Sequence, residues 1–343
     1  MLSLQSRAAG ALYGLALGDA LGMPTQSLSR QRIQEVYGEL SWFEAALPDH
    51  PLAAGMAAGS VTDDTEQALV LADVLIDGRG TVDEEDLAHR LLAWQESMRA
   101  RGSLDLLGPS SNRAFEALLA GESVLTTGRF GTTNGAAMRI APVGVATGCT
   151  DLDALVDDVV AASAVSHNTG VALAGAAAVA AAVSAGIDGA GVGKAIEVGR
   201  RAAEIGGRRG HWVAAADVAA RIEWAVDLVD GRAPADAADL IYRLVGTSLA
   251  TQESVPAAFA ALAVHPDDPW QAMLLAASVG GDCDTIAAMA GAMAGACAGL
   301  EALPKSAVDL VRVTNELDLA PVAERLLKLR ARRRSGSALP TGL

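Results

Sequence analysis

Apolar residues recur at three- and four-residue spacing along nearly the whole chain, which is the signature of amphipathic or buried helices. The pattern predicts helices over Ala8–Leu21, Thr65–Leu75, Asp86–Met98, Ser110–Ala120, Leu152–Val165, Val171–Ser184 and Gly193–Glu204. It continues through Val213–Val229, Ala235–Leu244, Ser254–Leu262, Trp270–Ser278, Thr285–Ala298 and Ala320–Arg334. Pro321 falls in the first turn of the last, where proline is tolerated. No alternating run long enough for a substantial sheet appears, so the reading is an all-α fold. No break in composition divides residues 1–334, which are read as one helical domain. Ser335–Leu343, small and polar, reads as a disordered tail.

Two helices carry glycine at four-residue spacing: Gly10, Gly14, Gly18 and Gly22, and Gly291, Gly295 and Gly299. Residues four apart share a helix face. Glycine there lowers helix stability, so the stripes imply close backbone packing around a central site. Val159–Ile187 has no Asp, Glu, Lys or Arg, but it is Ala-rich and interrupted by glycines. It reads as a buried helix rather than a membrane span. Arg330, Arg332, Arg333 and Arg334 read as a solvated helix end complementing the dipole.

The chain has 343 residues, of which 51% are hydrophobic, and it carries 26 Lys+Arg against 41 Asp+Glu, a formal charge of −15. This apolar content excludes disorder as the overall state. The acidic balance argues against nucleic-acid binding, and 3% aromatic residues leave little for stacking on single strands. Cys149, Cys283 and Cys297 are too few and too far apart for a disulfide framework or a zinc quartet. With no basic start and apolar run at MLSLQSRAAG, the expectation is a cytoplasmic protein, a monomer or small homo-oligomer.

The sharpest chemical feature is a pair of acidic clusters: Thr62-Asp63-Asp64-Thr65, and Asp282-Cys283-Asp284-Thr285 after Gly280-Gly281. Each stands where a loop enters an Ala/Leu-rich helix, so either alone is explained by helix capping. Two matching clusters, each with paired carboxylates and a hydroxyl, point to cation binding, since such carboxylates repel one another otherwise. All donors are hard oxygens, which favours Mg2+, or Mn2+, over zinc, and two clusters suit two ions. Thr133–Arg139 contains an Asn-Gly turn and an arginine able either to clamp a phosphate or to close the loop by an ion pair. Ser166-His167-Asn168 reads as a helix start, with His167 as cap or ligand contact. Gly189–Ala195 is not a phosphate loop: Asp188 replaces the first glycine and Ala195 the hydroxyl residue. Neither H-E-x-x-H, C-x-x-C nor G-x-S-x-G occurs.

In order, Gly14–Pro24 (GLALGDALGMP), Thr62–Thr65 (TDDT), Asn134–Arg139 (NGAAMR) and Gly280–Thr285 (GGDCDT) resemble the motifs of the ADP-ribosylglycohydrolase family. The likeness runs over roughly residues 5–300. It implies a compact, orthogonal multi-helix bundle with a binuclear magnesium centre, hydrolysing the ribosyl C1″ bond of an ADP-ribosylated protein or small molecule. By motif position, Thr62, Asp63, Asp64, Asp282, Asp284 and Thr285 are the expected metal ligands. Asp19, Gln26, Gly131, Asn134, Gly135, Met138, Arg139 and His167 are the expected substrate contacts. Two positions depart from the family. Gln26 stands where a glutamate is common. Leu106 stands where an aspartate is often found, with Asp105 one residue early. A metal-bound Asp63 or Asp282 is then the expected proton acceptor. The departures keep two alternatives open: a hydrolase of a nucleoside-like or ribosylated metabolite, and a catalytically silent ADP-ribose-binding regulator.

Overall fold

The structure is a computed structural model that describes residues 2–103 and 107–336. The departure at Asp105 and Leu106, and the tail beyond residue 336, lie outside the described residues. The first half contains α1 (Leu4–Gly22), α2 (Arg30–Tyr37), α3 (Asp63–Asp77), α4 (Glu84–Ala100), α5 (Pro109–Leu119) and the short α6 (Val124–Thr127), α7 (Gly135–Met138) and α8 (Ala141–Ala146). Then come α9 (Leu152–His167), α10 (Gly170–Ile187), α11 (Val192–Gly206), α12 (Val218–Val229) and α13 (Pro234–Leu240), which runs into a π-helical turn at Ile241–Val245. The chain closes with α14 (Thr251–Val264), α15 (Pro269–Ala277), α16 (Cys283–Ala298), α17 (Lys305–Thr314) and α18 (Ala320–Gly336). Among the described residues no strand forms, only isolated bridges such as Leu28 with Gly281. The fold is all-α, and one hydrophobic core runs from Ala8 on α1 to Leu329 on α18.

Local signals explain most boundaries. Ser3, Asp83, Asp151, Thr169, Asp217 and Asp268 each cap a helix with the side chain. Asp217 starts α12 at Val218, five residues later than the apolar spacing suggests. The helix expected over Ala235–Leu244 loosens into the π turn and stops at Gly246, whose φ of 88° suits glycine. α2 and α17 are short and were not anticipated: α2 buries only Ile33, and α17 only Ala307 and Val311.

The frame is the α1–α16 pair, the largest helix contact in the molecule. A Cβ on Gly14 would fall 2.1 Å from the Gly291 carbonyl oxygen, one on Gly295 1.9 Å from that of Gly10, and one on Gly18 2.0 Å from that of Ala287. The two backbones therefore touch, as the glycine stripes imply. Gly299 ends α16 with φ 80° and still borders the seam, since a Cβ on Gly10 would fall 2.8 Å from its carbonyl carbon. α10 packs against α16 and α11. By length and composition Gly170–Ile187 passes as a membrane span, but it is 94% buried within the protein.

The arginine cluster of α18 corrects the expectation of a solvated end. Arg330 is 2% exposed. Its guanidinium donates to the carbonyls of Gly144 (3.0 Å), Val145 (3.3 Å), Thr147 and Ser184 (3.2 Å) and pairs with Asp188 (2.8 Å). Arg333 pairs with Asp158 and reaches the Gly80 carbonyl. Arg332 is exposed. Charge and fork geometry thus pin α18 to α8 and α10. Arg330→Ala removes one donor from each of these carbonyls and the cation paired with Asp188. It is expected to lower stability by about 3–5 kcal/mol, read as a lower urea midpoint. A midpoint within error of wild type would refute this anchoring role.

Candidate active site

α3 and α16 begin side by side because the glycine seam draws α1 onto α16, and α1 reaches across to α3 through Asp19. That aspartate is fully buried in α1. It accepts from the Thr62 amide (3.0 Å) and hydroxyl (2.6 Å) and from the Thr65 amide (3.1 Å) and hydroxyl (2.5 Å). The start of α3 is thus capped from another helix. Thr62 makes no side-chain cap of its own, nor does Asp282 at the start of α16. Capping therefore does not account for the carboxylates of Asp63, Asp64, Asp282 and Asp284.

These carboxylates meet between the two helix starts. The Thr285 hydroxyl donates to Asp64 Oδ2 at 3.3 Å, joining the clusters. Asp64 Oδ1 is buried with no hydrogen-bond partner. Asp63 Oδ2 accepts from the Gln67 amide at 2.7 Å, and Asp282 Oδ2 from the Asn134 amide at 2.5 Å. Behind Asp282 the loop turns through Gly280 (φ 92°) and Gly281 (φ 81°), conformations that disfavour side chains. A Cβ on Gly281 would lie 2.3 Å from the Thr247 carbonyl oxygen, which accepts from the Asp282 amide at 2.8 Å.

Electrostatically the site is overloaded with negative charge. Burial, reinforced by Asp63, Asp284, Asp19 and Asp282, holds the Asp64 carboxyl well above the usual carboxylate range. Burial also raises Asp19 to about 6 against its threonine hydrogen bonds, and Asp282 to about 6 against those from Asn134 and Thr285. The nearest buried cation is Arg139, which burial lowers to about 10 while Asp63 opposes the shift.

Asp63, Asp282, Asp284 and Thr285 open onto a cavity of about 570 Å³. Gln26, Thr133, Asn134, Gly135 and Asn112 add polar and small surface. Leu107, Pro109, Met138 and Leu249 add apolar surface. Among the described residues, no lysine, arginine or histidine lines it.

The comparisons with known proteins agree with this geometry. The family model described as ADP-ribosylglycohydrolase matches residues 1–336. The chain belongs to the ADP-ribosylglycohydrolase family. Over 328 residues it is 35% identical to YegU of Escherichia coli (strain K12), covering 95% of this chain and 98% of that one. It is 30% identical to the ADP-ribosyl-[dinitrogen reductase] glycohydrolase of Rhodospirillum rubrum over 42% of this chain and 46% of that protein. Among solved structures, an "ADP-ribosylglycohydrolase-related protein complex" matches with a TM-score of 0.69 and 26% identity, over 96% of this chain and 99% of that one. At the level of the family, then, this is an ADP-ribosyl hydrolase.

Against that family background the expected site residues fall into two shells. Gln26, Asn134, Gly135, Met138, Asp63, Asp282, Asp284 and Thr285 line the cavity. Asp64 stands directly behind them, bonded to Thr285. Thr62 and Asp19 form the capping knot described above. Gly131 is buried, its carbonyl accepting from Thr169 Oγ1 at 2.5 Å, and a Cβ there would strike the Ser166 carbonyl oxygen at 2.1 Å. Arg139 and His167 are fully buried behind the wall and do not reach the cavity lining. Ser166-His167 ends α9 instead of starting a helix; Thr169 caps α10.

Several residues of the site were not legible. Thr247, Ser248 and Leu249 arrive on the loop after the π turn, with no motif to mark them. Gln67 had a signal, since it lies four residues after Asp63 on the same helix face. His50 is buried beside the site; its Nδ1 accepts the amides of Leu52 and Ala53, so Nε2 donates to the Gln26 carbonyl at 2.9 Å.

The residues suit a divalent cation by donor chemistry. They offer only hard oxygen donors in a buried, acidic setting, and one carboxylate oxygen, Asp64 Oδ1, is buried without a partner. Among the described residues, no group of three or more His, Cys, Asp or Glu side chains is arranged so that it could hold a metal ion as it stands.

Proposed function

We propose that the protein is a magnesium-dependent hydrolase of the ribosyl C1″ bond in an ADP-ribosylated protein or small molecule, working in the cytoplasm. The observation that carries this reading is the meeting of the two acidic helix starts at Asp64 and Thr285, beside a cavity whose described lining has no cationic side chain. Thr62, Asp63, Asp64, Asp282, Asp284 and Thr285 are the residues that would hold two magnesium ions, with manganese as the alternative. When bound, such ions neutralise the carboxylates and polarise oxygen ligands. The chain's own groups then have separate tasks. Gln67 and Asn134 hold Asp63 Oδ2 and Asp282 Oδ2, which orients each carboxylate toward the cavity. Asp63 or Asp282 accepts the proton of the attacking water. The carboxylate array favours the positive charge that develops on the ribose in an oxocarbenium-like transition state.

Gln26 keeps a second reading open. It lines the cavity where the family commonly has a glutamate, and an amide has neither the charge nor the basicity for proton abstraction. That substitution favours either a smaller ribosylated metabolite as substrate or binding of ADP-ribose without turnover. The deciding measurement is hydrolysis of ADP-ribosyl-arginine, ADP-ribosyl-serine, O-acetyl-ADP-ribose and nucleosides, each with magnesium or EDTA, against an Asp282→Ala blank. Magnesium-dependent release of ADP-ribose supports the main reading. Release of base or ribose alone selects the metabolite, and silence with ADP-ribose bound selects the regulator. Gln26→Glu is expected to raise ADP-ribose release by about 10²-fold, the low end for a positioned general base. An unchanged kcat would remove residue 26 as the limiting departure.

A further inference from the structure

The peptide unit between Gln26 and Ser27 is held at both of its polar atoms. Its carbonyl accepts from His50 Nε2 at 2.9 Å, and its N–H donates to the Gly281 carbonyl at 2.7 Å. Gly281 donates in turn to the Leu28 carbonyl at 2.8 Å and immediately precedes Asp282. Gln26, Ser27, Leu52 and Gly281 all line the cavity. His50 is buried and stands outside that lining.

The held peptide is in a costly conformation. Ser27 has φ 59°, in the left-handed region that residues other than glycine seldom occupy. Turning the peptide plane over would relieve that angle and break both hydrogen bonds. The His50 ring is itself fixed. Backbone amides only donate and carbonyls only accept, so the bonds to Nδ1 from Leu52 (3.2 Å) and Ala53 (2.9 Å) place the single ring proton on Nε2, facing Gln26. Burial, opposed by the Gln26 bond and by Asp49, holds the ring below its usual titration range and so neutral. The apolar anchor of this segment is a small cluster of Met23, Ala46, Ala53 and Met56, separate from the main core. The His50 bond adds a directed polar tie from that segment to the cavity wall.

We propose that His50 is a positioning residue which, acting through the Gln26–Ser27 peptide, holds this wall of the cavity against the Gly281 turn in the conformation that receives substrate. It works from behind the wall and touches no substrate itself. That the substrate is an ADP-ribosyl compound rests on the function proposed above.

His50→Asn separates the two sides of the ring. The shorter side chain still offers an oxygen to the amides that follow it, as in an Asx turn, but falls short of the Gln26 carbonyl. Calorimetry with ADP-ribose and magnesium is expected to show this variant binding about tenfold more weakly than wild type, as for a lost hydrogen bond that leaves a buried acceptor. In a Ser27→Gly background the same change should weaken binding by less than about threefold, because glycine takes a positive φ freely and keeps the peptide in place without His50. A merely structural role for His50 would give the same loss in both backgrounds, and that result would overturn the proposal. Wild-type affinity in His50→Asn would overturn it too. Long-range 1H–15N correlation on the wild-type protein is expected to show the His50 ring neutral and protonated at Nε2, and a proton on Nδ1 instead would also overturn it. Failure of the wild-type protein to bind ADP-ribose would count against the functional reading instead. Hydrogen exchange then decides the role of His50: the Ser27 amide should exchange about tenfold faster in His50→Asn, and an unchanged rate would overturn the proposal.

Discussion

Asp64→Asn is expected to stabilise the protein in EDTA and to abolish both its response to magnesium and its activity. The side chain is fully buried, and four other carboxylates raise its proton affinity together with burial. An amide of the same shape removes one charge from that repulsive group. It still offers an oxygen to Thr285, and Oδ1 loses no hydrogen bond because it has none. The expected gain in EDTA is about 1–3 kcal/mol, within the range seen when an uncompensated buried charge is removed. Magnesium at about a hundred times its dissociation constant should stabilise the wild type by about 2.7 kcal/mol, and the variant not at all. Activity should fall by about 10³-fold, because a ligand that neutralises the site is gone. Melting curves with EDTA and with magnesium check this directly. A variant less stable than wild type in EDTA, but still responding to magnesium, would show that Asp64 is not where the cation acts.

Gly14→Ala is expected to be strongly destabilising. The added Cβ would lie 2.1 Å from the Gly291 carbonyl oxygen, and what it meets is backbone, which cannot rotate away. Overpacking in a well-packed core costs about 1–3 kcal/mol when side chains can adjust. Here α1 and α16 must separate, so the loss should exceed about 3 kcal/mol and lower the soluble yield. Gly22→Ala tests how the seam serves the site. Its Cβ would fall 2.3 Å from the Asp284 Cα, so the magnesium response should weaken even where folding survives. Gly193→Ala is the control, since it is exposed in α11 and its Cβ would meet nothing within 4 Å. Alanine there should add about 0.5–1 kcal/mol by stiffening the helix. Urea midpoints of the three variants give the comparison. Equal effects at Gly14 and Gly193 would mean that the backbones do not touch as described.

Much of the architecture was legible because helix periodicity and capping are local. The 3.6-residue spacing marked α1, α3, α9, α10 and α16, and the four-residue glycine rows of α1 and α16 announced close backbone packing. The paired acid motifs marked the two helix starts that frame the cavity. Legibility failed in short helices that bury little, as in α2 and α17 with one and two buried residues. It failed again at the π turn, where a helical pattern ends on a loop that supplies Thr247, Ser248 and Leu249 to the cavity.

By itself the sequence determined that the chain is helical, that two helices carry glycine faces suited to close backbone packing, and that two carboxylate pairs share one hard-oxygen chemistry. Those properties depend on residue type and spacing within a few turns. Tertiary structure alone decided which polar groups face the cavity. Arg139 sits in the same motif as the lining residues Asn134, Gly135 and Met138, and Asp19 and His167 were expected beside them, yet all three side chains turn into the interior, where Asp19 caps α3 and Arg139 donates to Ser166. The physical reason is that a buried polar group must find its partners across helices far apart in sequence. Those partners exist only once the helices have packed.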